Sequence, residues 1–88
     1  METFATLQFS PEFFDAYARL RAEQRRAIVK ALKLLDSDEG HQSLRVHQLH
    51  GELAGVWAVR ASRNLRITFE RLPNGKKAIA DCGQHYDR

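Results

Sequence analysis

The stretch LHGELAGVWAVRASRNLRITF, Leu49 to Phe69, decides the fold. Trp57, Val59 and Ala61 alternate with Val56, Ala58 and Arg60, and Leu65, Ile67 and Phe69 alternate with Arg66, Thr68 and Glu70. This is the period of strands whose two faces meet different surroundings. Ser62-Arg63-Asn64 separates the runs as a three-residue hairpin loop, with Asn64 suited to the positive φ that such a loop favours at its last position. The register pairs Trp57 with Phe69, Val59 with Ile67 and Ala61 with Leu65, which makes one face continuously apolar. On the other face Arg60 falls directly opposite Arg66. Like charges opposed across a hairpin destabilise it, so packing does not account for the pair. A bound anion would, as would splaying into water or neutralisation by Glu70 and Asp81.

Downstream, Asn74-Gly75 is a strong turn signal. A two-residue turn there pairs Phe69 with Ala80 and Ile67 with Cys82, turns Ala78, Ala80 and Cys82 inward, and leaves Ile79 outward. The alternative register buries Lys77 and Asp81, and uncompensated buried charge is the costlier defect. The preferred register adds Asp81 and His85 to the face that carries Arg60 and Arg66.

Upstream, Ala5 to Phe9 alternate weakly as a short strand, and Ser10-Pro11 supplies an N-cap followed by a first-turn proline. Phe13, Phe14, Tyr17 and Leu20 then follow helical spacing. After a break near Arg21 or Ala22, Ile28, Ala31, Leu32 and Leu35 recur as one apolar stripe, with Arg25, Arg26, Lys30 and Lys33 on the solvated side. Asp36-Ser37-Asp38-Glu39-Gly40 reads as the loop that ends the helical section. The expected fold is α+β: an N-terminal strand, a two-helix hairpin, then a mainly antiparallel twisted sheet of three to four strands, in one domain over residues 1–88.

At 88 residues, with 43% hydrophobic and 28% charged residues, the chain has the composition of a small globular domain. A single cysteine, Cys82, permits no internal disulfide and fits a reducing cytoplasm; no signal peptide or membrane span is expected. The net charge of +3 is unevenly spread. Residues 1–44 carry six Lys/Arg against seven Asp/Glu, and residues 45–88 carry eight against four. His47, His50 and His85 lie in the basic half, which therefore suits an anionic partner. His47 and His50 lack the companions of a metal site, and no metal is expected. No nucleophile elbow or phosphate-cradling glycine loop is present, and Cys82 reads as an inert core thiol. Imidazoles and guanidinium groups together are what metal-free RNA cleavage requires: a base for the 2′-hydroxyl, cations on the phosphate and an acid for the departing 5′-oxygen.

Leu53 to Phe69, with the pattern L-x-G-x-W-x-x-R followed by R-x-x-F, and the ending Cys82-Gly83-Gln84-His85-Tyr86 resemble the RelE/ParE superfamily of small bacterial toxins. The likeness is to its ribosome-dependent endoribonuclease branch, which includes RelE, YoeB, YafQ and HigB. It implies the RelE-like microbial RNase fold and a type II toxin that cleaves mRNA in the ribosomal 30S A site by acid/base attack of the 2′-hydroxyl. No cofactor is implied. The implied partners are a neutralising antitoxin, the ribosome and mRNA, with a cytoplasmic location and no membrane. By this resemblance Arg60 and Arg66 hold the scissile phosphate, His47 is the base, His85 is the general acid, and Tyr86 positions or stacks on the RNA. Arg45, His50, Arg63, Lys76 and Lys77 are expected as further phosphate or RNA contacts. His50 stands where YoeB has a lysine, and is cationic only when protonated. The same fold would also serve a ParE-like gyrase inhibitor that acts by binding, whose members generally lack the terminal histidine and tyrosine, or a non-catalytic binding member.

Overall fold

The computed structural model describes residues 3–84. Strand β1, Leu7–Phe9, leads to Ser10, whose hydroxyl accepts the Phe13 amide at 3.1 Å and starts helix α1, Pro11–Ala18, at the expected place. The chain breaks before α2, Ala22–Ser37, where the Arg21 amide donates to Gln24 Oε1 at 2.9 Å. Ile28, Ala31, Leu32 and Leu35 are buried on the inner side of α2. Its C-terminal end runs through Asp36 and Ser37, two residues into the segment expected as loop.

Three further strands match the alternating runs: β3, Val56–Arg60, β4, Leu65–Arg71, and β5, Lys77–Gln84; a two-residue strand β2, His47–Gln48, precedes them. The five strands lie in the order β1-β5-β4-β3-β2. Every neighbouring pair is antiparallel except β1 with β5, so the N-terminal strand closes one edge as a parallel addition and β2 closes the other. The helices cover one face. Phe13, Ile28 and Leu35 meet Val59, Ile67, Phe69 and Ile79 in a single core. The opposite face is left to carry the polar groups.

The first hairpin has the expected register, including Trp57 opposite Phe69 and Arg60 opposite Arg66. Its loop differs in one respect: Asn64 does not take positive φ, and among the described non-glycine residues only Arg45 does. Reciprocal backbone bonds between Ser62 and Leu65, at 3.2 and 3.3 Å, close the loop without it.

The second hairpin departs from expectation more informatively. Its turn has three residues, Pro73-Asn74-Gly75, with Gly75 at φ +88° and Leu72 N–H donating to Lys76 O at 2.8 Å. The register near the turn therefore slips by one, so that Phe69 faces Ile79 rather than Ala80 and Arg71 faces Lys77. A β-bulge between Thr68 and Phe69 absorbs Ala80 and restores the expected pairs of Thr68 with Asp81 and Ile67 with Cys82. The slip turns Ile79 inward to 0% exposure and leaves Ala78 and Ala80 only half-buried. It also buries Lys77.

Lys77 is accommodated by partners distant in sequence. Its ammonium lies 3.2 Å from Thr6 Oγ1 and 3.5 Å from Glu39 Oε1. Glu39 also takes two hydrogen bonds from Arg71, whose guanidinium stands 4.2 Å from the Trp57 ring centroid. Asp36 completes the arrangement by accepting the amides of Ala5 and Thr6 and the Thr6 hydroxyl, which ties β1 to the end of α2. The hydrogen bond from Arg71 holds the Glu39 carboxyl below its ordinary range. For Asp36 burial acts upward, but the bonds from Thr6 and Ala5 and the charge of Lys77 outweigh it, and its pKa is also lowered.

A depressed folded-state carboxylate pKa contributes stability that is complete above the unfolded value and is lost as pH falls through the folded value. The melting temperature is therefore expected to hold at neutral pH and to fall once pH drops below about 4.5, where free carboxyls protonate. Glu39→Gln should flatten that fall. Glu39→Ala, which strands the Lys77 ammonium, should cost about 1–2 kcal/mol, reduced from a fully buried pair because Glu39 keeps one third of its exposure. Denaturant unfolding at pH 7 measures the second effect, and an unchanged midpoint would show that Lys77 needs no partner.

Candidate active site

The registers set two rows of residues across the outer sheet face. Arg60, Arg66 and Gly83 form one, and His47, Ala58, Thr68 and Asp81 form the other. Adjacent strands lie about 4.8 Å apart and same-face residues about 6.7 Å apart along a strand. Arg60 and Arg66 are thus immediate neighbours, and His47 flanks Arg60 on the diagonal at about 8 Å between backbones. Ala58, 1% exposed, supplies no bulk between them. The result is a concavity of about 340 Å³, lined by Arg45, His47, Arg60, Arg63 and Arg66 over Ala58 and Val59, with no carboxylate in its wall.

Neither Arg60 nor Arg66 has an ion pair or hydrogen bond to its side chain among the described residues. The neutralisation by Glu70 and Asp81 left open from the sequence does not occur there: neither carboxylate forms an ion pair with Arg60 or Arg66 among the described residues, and Asp81 Oδ1 accepts the Cys82 amide at 2.9 Å. Two half-buried guanidinium groups therefore face the same open space. Planar forks of this kind hold a phosphate through paired charge-assisted bonds.

The backbone fixes which nitrogen of His47 is available. Arg45, at φ 47° and ψ 48°, is in the left-handed region that costs a non-glycine residue roughly 1 kcal/mol or more. That turn aims its carbonyl at the His47 ring, and Nδ1 donates to Arg45 O at 2.8 Å. A carbonyl can only accept, so Nδ1 carries the proton and the lone pair of the neutral ring lies on Nε2. His47 is exposed at the sheet edge, and Nε2 is the nitrogen able to accept a proton.

The structure thus brings together Arg45, His47, Arg60, Arg63 and Arg66. It does not bring in the other expected contacts. His50 caps a short 3₁₀ turn, Gly51–Leu53, outside this concavity. Lys76 sits at the β4–β5 turn, at the opposite end of β4 from Arg66, and Lys77 is 6% exposed with its charge committed to Thr6 and Glu39; neither is placed to meet a phosphate held by Arg66. His85 and Tyr86 lie outside the described residues. Burial, then the Asp81 charge, pushes the Cys82 thiol up to about 11, so it is the inert core group expected. On its other side Arg66 lines a second hollow, together with Arg19 from the end of α1, Thr68, Asp81 and Gln84. Nothing in the sequence near Arg19 signals this, since only the packing of α1 along β5 puts it there.

No protein-family profile matches the chain, and no curated protein matches it in sequence. Solved structures do match. The toxin–antitoxin complex RelBE2 from Mycobacterium tuberculosis contains a chain superimposing with a TM-score of 0.76 at 18% identity, over 94% of this chain and 100% of that one. A chain of the YoeB-YefM complex from Staphylococcus aureus gives 0.70 at 24% identity over 91% and 95%, and YafQ from E. coli gives 0.71 at 13% over 90% and 91%. The α+β fold expected from the alternating strands is therefore the fold of the RelE, YoeB and YafQ structures.

Proposed function

We propose that this chain is the toxin of a toxin–antitoxin pair and a ribosome-dependent endoribonuclease that cleaves mRNA in the A site and so halts translation. One observation carries the reading: Arg60 and Arg66, opposed and without carboxylate partners among the described residues, share a concavity with His47, whose Nε2 is free to accept a proton. The fold likeness to chains of RelBE2 and YoeB-YefM supports it, as does the ending in His85 and Tyr86.

In this mechanism a phosphodiester lies on the two guanidinium groups. His47 Nε2 takes the 2′-hydroxyl proton as the 2′-oxygen attacks phosphorus, Arg60 and Arg66 stabilise the added negative charge, and the bond to the 5′-oxygen breaks as His85 donates a proton to it. The products are a 2′,3′-cyclic phosphate and a 5′-hydroxyl. No step in it calls for a metal ion. Tyr86 positions the RNA, and Arg45 and Arg63 add charge at the rim. An antitoxin would neutralise the protein by covering this face.

The reading is tested by inducing the protein in cells and mapping mRNA ends against reading frame. Cuts within codons of translated messages, with cyclic phosphate ends, are expected. Intact mRNA with DNA damage would instead identify a gyrase inhibitor. His47→Ala should lower single-turnover cleavage on programmed ribosomes by about 10²–10³-fold. Cleavage by this variant within threefold of the parent would remove His47 as the base.

A further inference from the structure

We infer that the hollow next to the cleavage concavity, on the α2 side, is a second phosphate subsite that takes the RNA phosphate flanking the scissile one, with Lys30 and His41 as its ligands. The inference rests on the proposed RNA cleavage and adds to it the placement of the neighbouring nucleotide. The hollow measures about 630 Å³, within the size range of pockets that enclose small ligands. Arg45, Arg60 and Ser62 line both it and the cleavage concavity, so the two hollows adjoin and share these residues as a wall. Its outer wall consists of Lys30 from α2 and the segment from His41 to Ser43, and no Asp or Glu lines it.

The ring of His41 is set in the opposite sense to that of His47. Its Nδ1 lies 3.2 Å from the Ser43 amide and 2.8 Å from the Ser43 hydroxyl. An amide can only donate, so Nδ1 accepts and the neutral ring carries its hydrogen on Nε2. His41 therefore offers an Nε2–H donor whether or not it is charged. A permanent donor beside an ammonium and two guanidinium groups is a binding arrangement rather than a proton acceptor. Lys30 and His41 are both exposed, and the side chain of Lys30 has no ion pair or hydrogen bond among the described residues. On the amphipathic pattern of α2 alone Lys30 belongs to a solvated face. The loop from His41 to Arg45, packed against the end of β3, makes it one wall of a basic hollow.

Two nucleotides of graded charge separate this subsite from the cleavage concavity. Binding of adenosine 3′-monophosphate and adenosine 3′,5′-bisphosphate to the full chain is followed by NMR, with the double variant Lys30→Gln/His41→Asn as the comparison. Neither replaced residue lines the cleavage concavity. The bisphosphate is expected to bind about tenfold more tightly than the monophosphate, and the variant should lose that gain while keeping its monophosphate affinity. Equal affinities in the parent protein, or a gain that survives in the variant, would overturn the subsite. A hexaglutamate peptide weakened by the variant as strongly as the bisphosphate would also overturn it, assigning the hollow to an acidic protein. The monophosphate footprint tests the underlying reading separately. Shifts at His47, Arg60 and Arg66 support cleavage there, whereas a footprint elsewhere removes that reading and the flanking role with it.

Discussion

Arg66→Ala is expected to slow RNA cleavage on programmed ribosomes by about 10²–10³-fold, the usual loss on removing one donor from a site that stabilises developing negative charge. Its effect on folding should be small or favourable. Arg66 stands directly opposite Arg60 in the last pair of β4 with β3, beside the hairpin loop, and cross-strand like charges destabilise by a few tenths of a kcal/mol to about 1 kcal/mol. Loss of the aliphatic stem of a half-buried arginine works the other way by a similar amount. The variant should thus melt within a few degrees of the parent protein while being nearly inactive, a separation that a structural residue would not give. Arg66→Lys sharpens the test. It keeps the charge but not the fork, so it should restore only part of the rate. If Arg66→Ala retained cleavage within threefold of the parent, the outer face would not be the site of chemistry, whatever its charge.

How far this site was legible in the sequence depends on the distance over which each constraint acts. Trp57 opposite Phe69 and Arg60 opposite Arg66 follow from period-two alternation on either side of a short loop, and both are present. The β4–β5 hairpin looked equally local. There the choice between a two-residue and a three-residue turn was decided by where Ile79 and Lys77 could go, and Lys77 can be buried only because Thr6 and Glu39 reach it from 71 and 38 residues away. Charge burial argued against that register while its partners were unknown. The Ala80 bulge then lets one strand satisfy both the slipped turn and the register that places Asp81 and Gly83 outward. His47 was reachable as a candidate base only through resemblance, because its usable nitrogen depends on the left-handed turn at Arg45, which a non-glycine residue does not advertise. His41 carried no signal at all, since its significance comes from Lys30 across the hollow.

Phe69→Ala is expected to destabilise the fold by about 3–5 kcal/mol, the range for truncating a fully buried aromatic. Phe69 is 0% exposed in β4, opposite Trp57 on one side and Ile79 on the other, with its ring 6.3 Å from that of Trp57. A domain of this size holds only some 5–10 kcal/mol in total, so the loss would consume a large part of it and lower the melting temperature by more than about 12 °C. The consequences extend past the cavity. The Arg71 guanidinium rests over Trp57 at 4.2 Å and over Phe69 at 5.4 Å, and from there it holds Glu39, the partner of buried Lys77. Removal of the ring should loosen that contact and make the variant more acid-sensitive than the cavity alone would. Phe14→Ala is the control: Phe14 is 50% exposed, so an equal truncation there should cost less than about 1 kcal/mol. Similar losses in the two variants would mean that the core is centred on α1 rather than on the sheet. A large loss at Phe69 alone places it under the strands whose outer face carries Arg60, Arg66 and His47.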